Sequence, residues 1–124
     1  MPVTPAAVRK LDPWAPPIAL MVVIFVLSAQ PDLNSGLGTI DLIGRKLIHA
    51  CEYALLTFLW WRALRTIATP RAAIVLALGI AIGYAGTDEF HQHYVQGRHA
   101  APTDVLIDAA GAAIAAALLI RRRA

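Results

Sequence analysis

Apolar residues run along this chain in four blocks, and polar residues gather at the ends of those blocks. The blocks are Pro16 to Ala29, Leu47 to Trp61, Ala72 to Tyr84 extending to Phe90, and Val105 to Ile120. A bilayer hydrocarbon core of about 30 Å takes about 20 helical residues, and the blocks reach that length only when the polar residues at their ends are counted in. The pattern predicts an all-α integral membrane protein, a four-transmembrane-helix bundle with helices over about 14–30, 43–64, 71–91 and 103–120. Ionisable side chains then sit at membrane depth.

The breakers agree with this division. "PWAPP" places prolines in a first helical turn, where the missing N–H costs nothing. "PDLNSGLG" supplies Pro, Asn and Gly between helices one and two, with Asp41 near the start of the second, and "TIATPR" is a short turn before the third. No repeat or low-complexity tract is visible. The run "AAGAAIAAALL" forms a small-residue face on helix four, suited to close helix packing and, between copies, to homo-oligomer formation.

Composition narrows the class. In 124 residues there is room for one domain, residues 1–124, and 58% hydrophobic with 15% charged residues is too apolar for an ordinary soluble one. The single cysteine, Cys51, lies in an apolar run and reads as a small packing residue; it excludes an intrachain disulfide. Arg9 and Lys10 ahead of an apolar stretch ending in "LSAQP" resemble a cleaved signal, but Leu27 is too large for its place before a cut at Ala29 and Pro31 follows. An uncleaved first span is expected.

Charge sets an expected orientation. Arg9, Lys10, Arg62, Arg65, Arg71, Arg121, Arg122 and Arg123 are eight of the eleven basic residues and fall on one side, so both termini and the middle loop are expected to be cytoplasmic. Trp14, Trp60 and Trp61 fall near that inner boundary, as interfacial anchors do. Seven of the eight acidic residues, all but Asp12, belong to the other half, with the outer connections at residues 30–43 and about 91–103. The net charge of +3 therefore reads as topology, and nucleic-acid binding is not expected.

The outer half holds the candidate chemistry. Lys46, His49 and Tyr53 recur at three and four on helix two, with Glu52 at the edge of that face. On helix three Asp88, His91 and Gln92 share a face beside Glu89, and on helix four Asp104, Asp108 and Gly111 recur at four and three. A charge at the centre of a membrane helix costs about 2.5–3.5 kcal/mol on insertion scales, so such residues face the bundle and find partners. One reading is an internal ion-pair network, in which Lys46 and Arg98 neutralise two carboxylates and the histidines complete hydrogen bonds. Ser28 and Gln30 cap helix one or join the site; His93 and His99 read as exposed loop histidines, and Arg45 and Asp32 as solvated.

Three stretches in order, "FVLSAQP", "RKLIHACEYALLTFLWWRAL" and "DEFHQHYVQGRHAAPTDVLIDAAGAAIA", resemble the motifs of the VanZ-like membrane proteins over roughly residues 25–117. The most specific block holds Glu89, Gln92, Gly97, Arg98, Asp104 and Gly111; the pair Ser28 and Gln30 and the face of Lys46, His49 and Tyr53 add to it. Two departures stand out: Asp108 occupies a position where asparagine is usual in that family, and Gln96 one where proline is frequent. The resemblance implies a small multi-pass protein of the bacterial cytoplasmic membrane, linked in some members to tolerance of lipoglycopeptides such as teicoplanin. It implies no established reaction.

Several functions remain open on these residues. As an enzyme acting on a lipid or a lipid-linked envelope intermediate, a hydrolase or transferase, the chain would use His49, Asp88, Glu89, His91 and Asp104 as acid, base or electrostatic groups. Ser28, Gln30, Lys46, Glu52, Tyr53, Gln92, Arg98 and Asp108 would hold the substrate, Arg98 by a bidentate grip on phosphate. A non-catalytic binder of a membrane lipid, antibiotic or partner would use the same groups, and a proton-coupled carrier would need a polar path that the inner half lacks. No cofactor is required by the pattern. A divalent metal, zinc, manganese or magnesium, is compatible with His49, Glu52, Glu89, His91, Asp104 and Asp108, although no compact ligand motif such as HExxH is present. Ser28 and Ser35 lack a nucleophile-elbow context, and Arg98 with Asp104 echoes lipid-phosphatase motifs only loosely.

Overall fold

A computed structural model describes residues 12–28, 39–92, 94 and 102–123. The described elements are four helices, α1 (Ala15–Ser28), α2 (Thr39–Leu64), α3 (Pro70–Gln92) and α4 (Pro102–Arg123), with no strand among the described residues. The second helix starts four residues ahead of the expected 43, so Asp41 falls inside its first turn. At 1.5 Å per residue, α2 with 26 residues, α3 with 23 and α4 with 22 run about 33–39 Å, and α1 with 14 runs about 21 Å.

The turn between α2 and α3 closes tightly. The Ala68 N–H donates to the Leu64 carbonyl at 2.9 Å, and the Thr69 hydroxyl accepts from the Ala72 N–H at 3.3 Å, capping a helix whose first residue is Pro70. At the same end Arg62 reaches Asp12 at 2.6 Å and the Arg65 guanidinium lies 4.8 Å over the Trp61 ring. Trp14 meets Trp60 edge to face at 6.3 Å, both half-buried. Trp61, by contrast, is buried in the bundle core and is not an outward-facing anchor.

Three stripes of side chains build the core. On α3 they are Ala73, Ala77, Ala81 and Ala85, spaced by four and fully buried. Such small residues let backbones approach, which is how helices associate when the surroundings are as apolar as leucine. Trp61 and Leu64 of α2, Ala73 and Ala77 of α3 and Ala116 and Leu119 of α4 form one core layer; Tyr53 and Leu56, Ala81 and Ala85, and Ala112 form the next, joined by Ile24 of α1. The helix α1 lies at the edge against α2 and α3, where the Tyr84 hydroxyl donates to the Met21 carbonyl at 2.6 Å.

Helices α2 and α4 run parallel and pack most extensively. Their closest approach is at Gly111, where a Cβ would overlap the backbone carbonyl of Ala50 and stand 2.8 Å from its Cα. Backbone cannot yield as a side chain can. The Gly/Ala face of α4 is thus used inside the chain through Gly111, Ala112 and Ala116, while Cys51, next to the crossing, is exposed on α2 rather than packed.

Gly111→Ala is expected to force α2 and α4 apart and to destabilise the purified protein by about 1–3 kcal/mol, read as a lower Tm in detergent. Gly79→Ala, Gly83→Ala and Gly86→Ala, where an added Cβ meets nothing within 4 Å, are expected to leave the Tm unchanged or raise it.

Candidate functional site

The stripes that form the core change character at the end where α2 and α4 begin and α3 finishes. One turn beyond Ala85 the buried α3 positions become Asp88 and Glu89, 3% and 9% exposed; one turn before Ala112 the buried α4 position becomes Asp108, 4% exposed. On α2 the residues one and two turns before Tyr53 are His49 and Lys46, both half-buried. Helix periodicity turns these groups inward, and the packing of the helices brings them together. The alternation that aims alanines inward aims the acids inward too.

The register of the parallel pair is set by successive contacts. Nearest the helix starts, Lys46 Nζ donates to Asp104 Oδ1 at 2.8 Å, a half-exposed ion pair at the mouth. One turn deeper, His49 Nδ1 lies 3.6 Å from Asp108 Oδ1 and 3.9 Å from Glu52 Oε2. Then come Ala50 against Gly111 and, below them, Tyr53 in one core layer with Ala112. The Tyr53 hydroxyl, fully buried, donates to Asp88 Oδ2 at 3.4 Å and so joins α3 to this ladder. Thr57, one turn deeper on α2, turns its hydroxyl back to the Tyr53 carbonyl at 2.9 Å, which closes the polar region.

Among the described residues His49, Asp88 and Asp108 each present an atom able to ligate a cation, all within 4.8 Å of one another. The Oδ1 of Asp108 is buried and accepts no hydrogen bond among the described residues. The site is strongly acidic. It gathers Asp88, Glu89, Asp104, Asp108 and Glu52, and among the described contacts Lys46 is held by Asp104 and His49 lies beside Asp108 and Glu52.

Most of the expected site residues on α2, α3 and α4 meet here: Lys46, His49, Glu52, Tyr53, Asp88, Asp104 and Asp108 are linked by the contacts above, and Glu89 is buried beside Asp88. His91 is placed differently. Its ring stacks on Phe25 of α1 at 4.3 Å, because three residues on from Asp88 is a rotation of about 60° around the helix, enough to turn the side chain toward α1. Gln30, Arg98, His93 and His99 lie outside the described residues, as do the side chains of Ser28 and Gln92 at the ends of α1 and α3.

Two residues escaped the sequence reading. Tyr84, one turn before Asp88, packs on Tyr53 at 6.4 Å and bonds α1; Phe25 carries the ring on which His91 rests. Their signal was the four-residue step from Asp88 and the one aromatic in an aliphatic first helix. Together with Ile18, Met21, Val22 and Trp60, these two line an apolar groove of about 420 Å³ between α1, α2 and α3. The groove adjoins the polar site through Tyr84, which packs on Tyr53, and reaches His91 through Phe25.

No curated protein and no solved structure matches this chain. The VanZ/LLP1 family model, however, matches residues 12–123, covering all four helices and every site contact described above, and the chain belongs to the VanZ-like family.

Proposed function

We propose that this VanZ-like protein crosses the bacterial cytoplasmic membrane four times, with both termini in the cytoplasm. The polar site then opens toward the extracytoplasmic side, where it binds or processes the anionic head group of a lipid or lipid-linked envelope molecule. Membership of the family supports a membrane protein and a link to glycopeptide resistance. One helix, Pro70–His91, is long and apolar enough by itself to cross a membrane, and Ala15–Leu27 is a shorter apolar helix. Support for the other spans comes from what they expose. Val22 on α1, Leu47 and Leu55 on α2, Val75 on α3 and Leu106 and Leu118 on α4 all face outward, so every helix offers hydrocarbon to its surroundings while ionisable groups face inward.

The observation that carries the ligand class is the pairing of the polar ladder with the adjoining groove. A groove lined by Ile18, Met21, Val22, Phe25, Trp60 and Tyr84 suits an acyl or isoprenoid tail, and Tyr53 and Asp88 beyond Tyr84, with His91 on Phe25, suit a polar head. Lys46 at the mouth and Arg98 of the outer connection are the cations for a phosphate, with Glu89 as the acid–base group if the molecule is processed. Through control of such a molecule the protein would contribute to lipoglycopeptide tolerance.

Orientation is tested in a Cys51→Ser background. Ser35→Cys is expected to react with a membrane-impermeant maleimide in intact cells, and Thr66→Cys only after lysis; the opposite result reverses the topology. For the ligand, a polyisoprenyl phosphate is expected to raise the Tm of the purified protein, by about 2.7 kcal/mol of stabilisation at a hundredfold excess over Kd, and the corresponding polyisoprenol is not. His49→Ala and Lys46→Ala should each weaken binding about tenfold or more. Cells lacking the protein should differ in one lipid-linked phosphate class, restored by the wild type and not by Glu89→Gln. Equal response to alcohol and phosphate, with identical lipid profiles, overturns the reading.

A further inference from the structure

We propose that His49, Asp88 and Asp108 form the protein half of a divalent-cation site, with zinc as the ion that the donor set fits best. The three residues come from α2, α3 and α4, and their ligating atoms lie within 4.8 Å of one another. In a tetrahedral zinc site with bonds of about 2.1 Å, ligand atoms stand about 3.4 Å apart. The 3.6 Å between His49 Nδ1 and Asp108 Oδ1 already has that spacing.

Burial supplies the second argument. Asp108 is 4% exposed, and its Oδ1 points into the cluster without a hydrogen-bond donor among the described residues. Buried acceptors are almost always satisfied, by protein, by water or by an ion. Asp88 is as deeply buried, at 3%, with an oxygen inside the same 4.8 Å. A dication held by all three residues would sit against both carboxylates at once.

Donor chemistry selects the ion. One nitrogen and two carboxylate oxygens suit zinc or manganese; magnesium and calcium prefer oxygen alone, and copper(I) prefers sulfur. Three protein ligands leave a fourth position open, the arrangement of reactive rather than purely structural zinc sites. Tyr53 braces Asp88 through its hydroxyl at 3.4 Å, as outer groups orient metal-binding carboxylates. The close crossing of Gly111 over Ala50 holds His49 and Asp108 face to face.

The full chain, purified in detergent with a tag free of histidine and stripped with a chelator, is titrated with zinc and, as a spectroscopic reporter, cobalt(II). Wild type is expected to take up about one zinc per chain, to show the intense visible bands of tetrahedral cobalt, and to gain Tm on binding. Asp108→Ala, Asp88→Ala and His49→Ala should each lower the affinity at least tenfold, while Cys51→Ser, which removes the exposed thiol, should not. Asp108→Asn preserves shape and removes one charge, so it guards against variants that fail to fold. With the site as proposed, it melts at or above the metal-free wild type yet loses most of the zinc-dependent gain in Tm. If wild type binds no zinc stoichiometrically, or if Asp108→Asn lowers the Tm equally with and without zinc, the cluster is an ion-pair network and the proposal is overturned. These measurements need no lipid, so they stand or fall separately from the ligand reading above.

Discussion

The contact between Gly111 and the carbonyl of Ala50 governs the rest of the molecule. Helices α2 and α4 run in the same direction, and their backbones come together at a point that only a residue without a Cβ can occupy. Small residues at a crossing are what permit such close backbone approach. One turn toward the helix starts, the same approach leaves His49 and Asp108 3.6 Å apart; two turns away, it lets Lys46 reach Asp104 at 2.8 Å. The site is therefore a consequence of the packing. A wider crossing would part these pairs before it disturbed the apolar layers below.

The third helix completes the arrangement by continuing a single stripe. Ala73, Ala77, Ala81 and Ala85 keep α3 close to both partners, and the next inward positions are Asp88 and Glu89. Small residues bring the acids deeper into the bundle than larger ones would. The Tyr53 hydroxyl then meets Asp88, and the phenol of Tyr84 packs on Tyr53 while bonding the backbone of α1. Through that last contact the short first helix, which takes no part in the acidic cluster among the described residues, forms one wall of the apolar groove.

Periodicity made much of this legible. Four apolar blocks gave four helices, and spacings of three and four placed Lys46, His49 and Tyr53 on one face and Asp104, Asp108 and Gly111 on another. Which residue would meet which was not legible. Lys46 and Asp104 are 58 positions apart, and their pairing depends on the register of two parallel helices, which the Gly111 contact sets and local sequence does not record. His91 shows the limit of face arguments: a rotation of about 60° from Asp88 counts as the same face on paper, yet inside a bundle it exchanges α2 and α4 for Phe25 of α1. Cys51 and Trp61 show the same limit in reverse. Small size suggested burial for the first and aromatic character an interfacial place for the second, while helical phase exposes one and buries the other.

The same residues that build the site also interrupt the apolar runs of the helices that carry it. Among the described residues the helix from Pro70 to His91 is long and apolar enough to cross a membrane, and its acids come at its very end. In α2, Arg45, Lys46 and Glu52 interrupt the apolar run, and in α4 Asp104 and Asp108 come within its first two turns. Each of these charges lowers the hydropathy of its helix, yet the cost of placing it there depends on its partner, and hydropathy counts residues one at a time. Lys46 with Asp104 is one ion pair in space but two separate penalties along the sequence. The apolar side chains that the pair does not need, Leu47, Val75 and Leu118 among them, are left uncovered on the outward face.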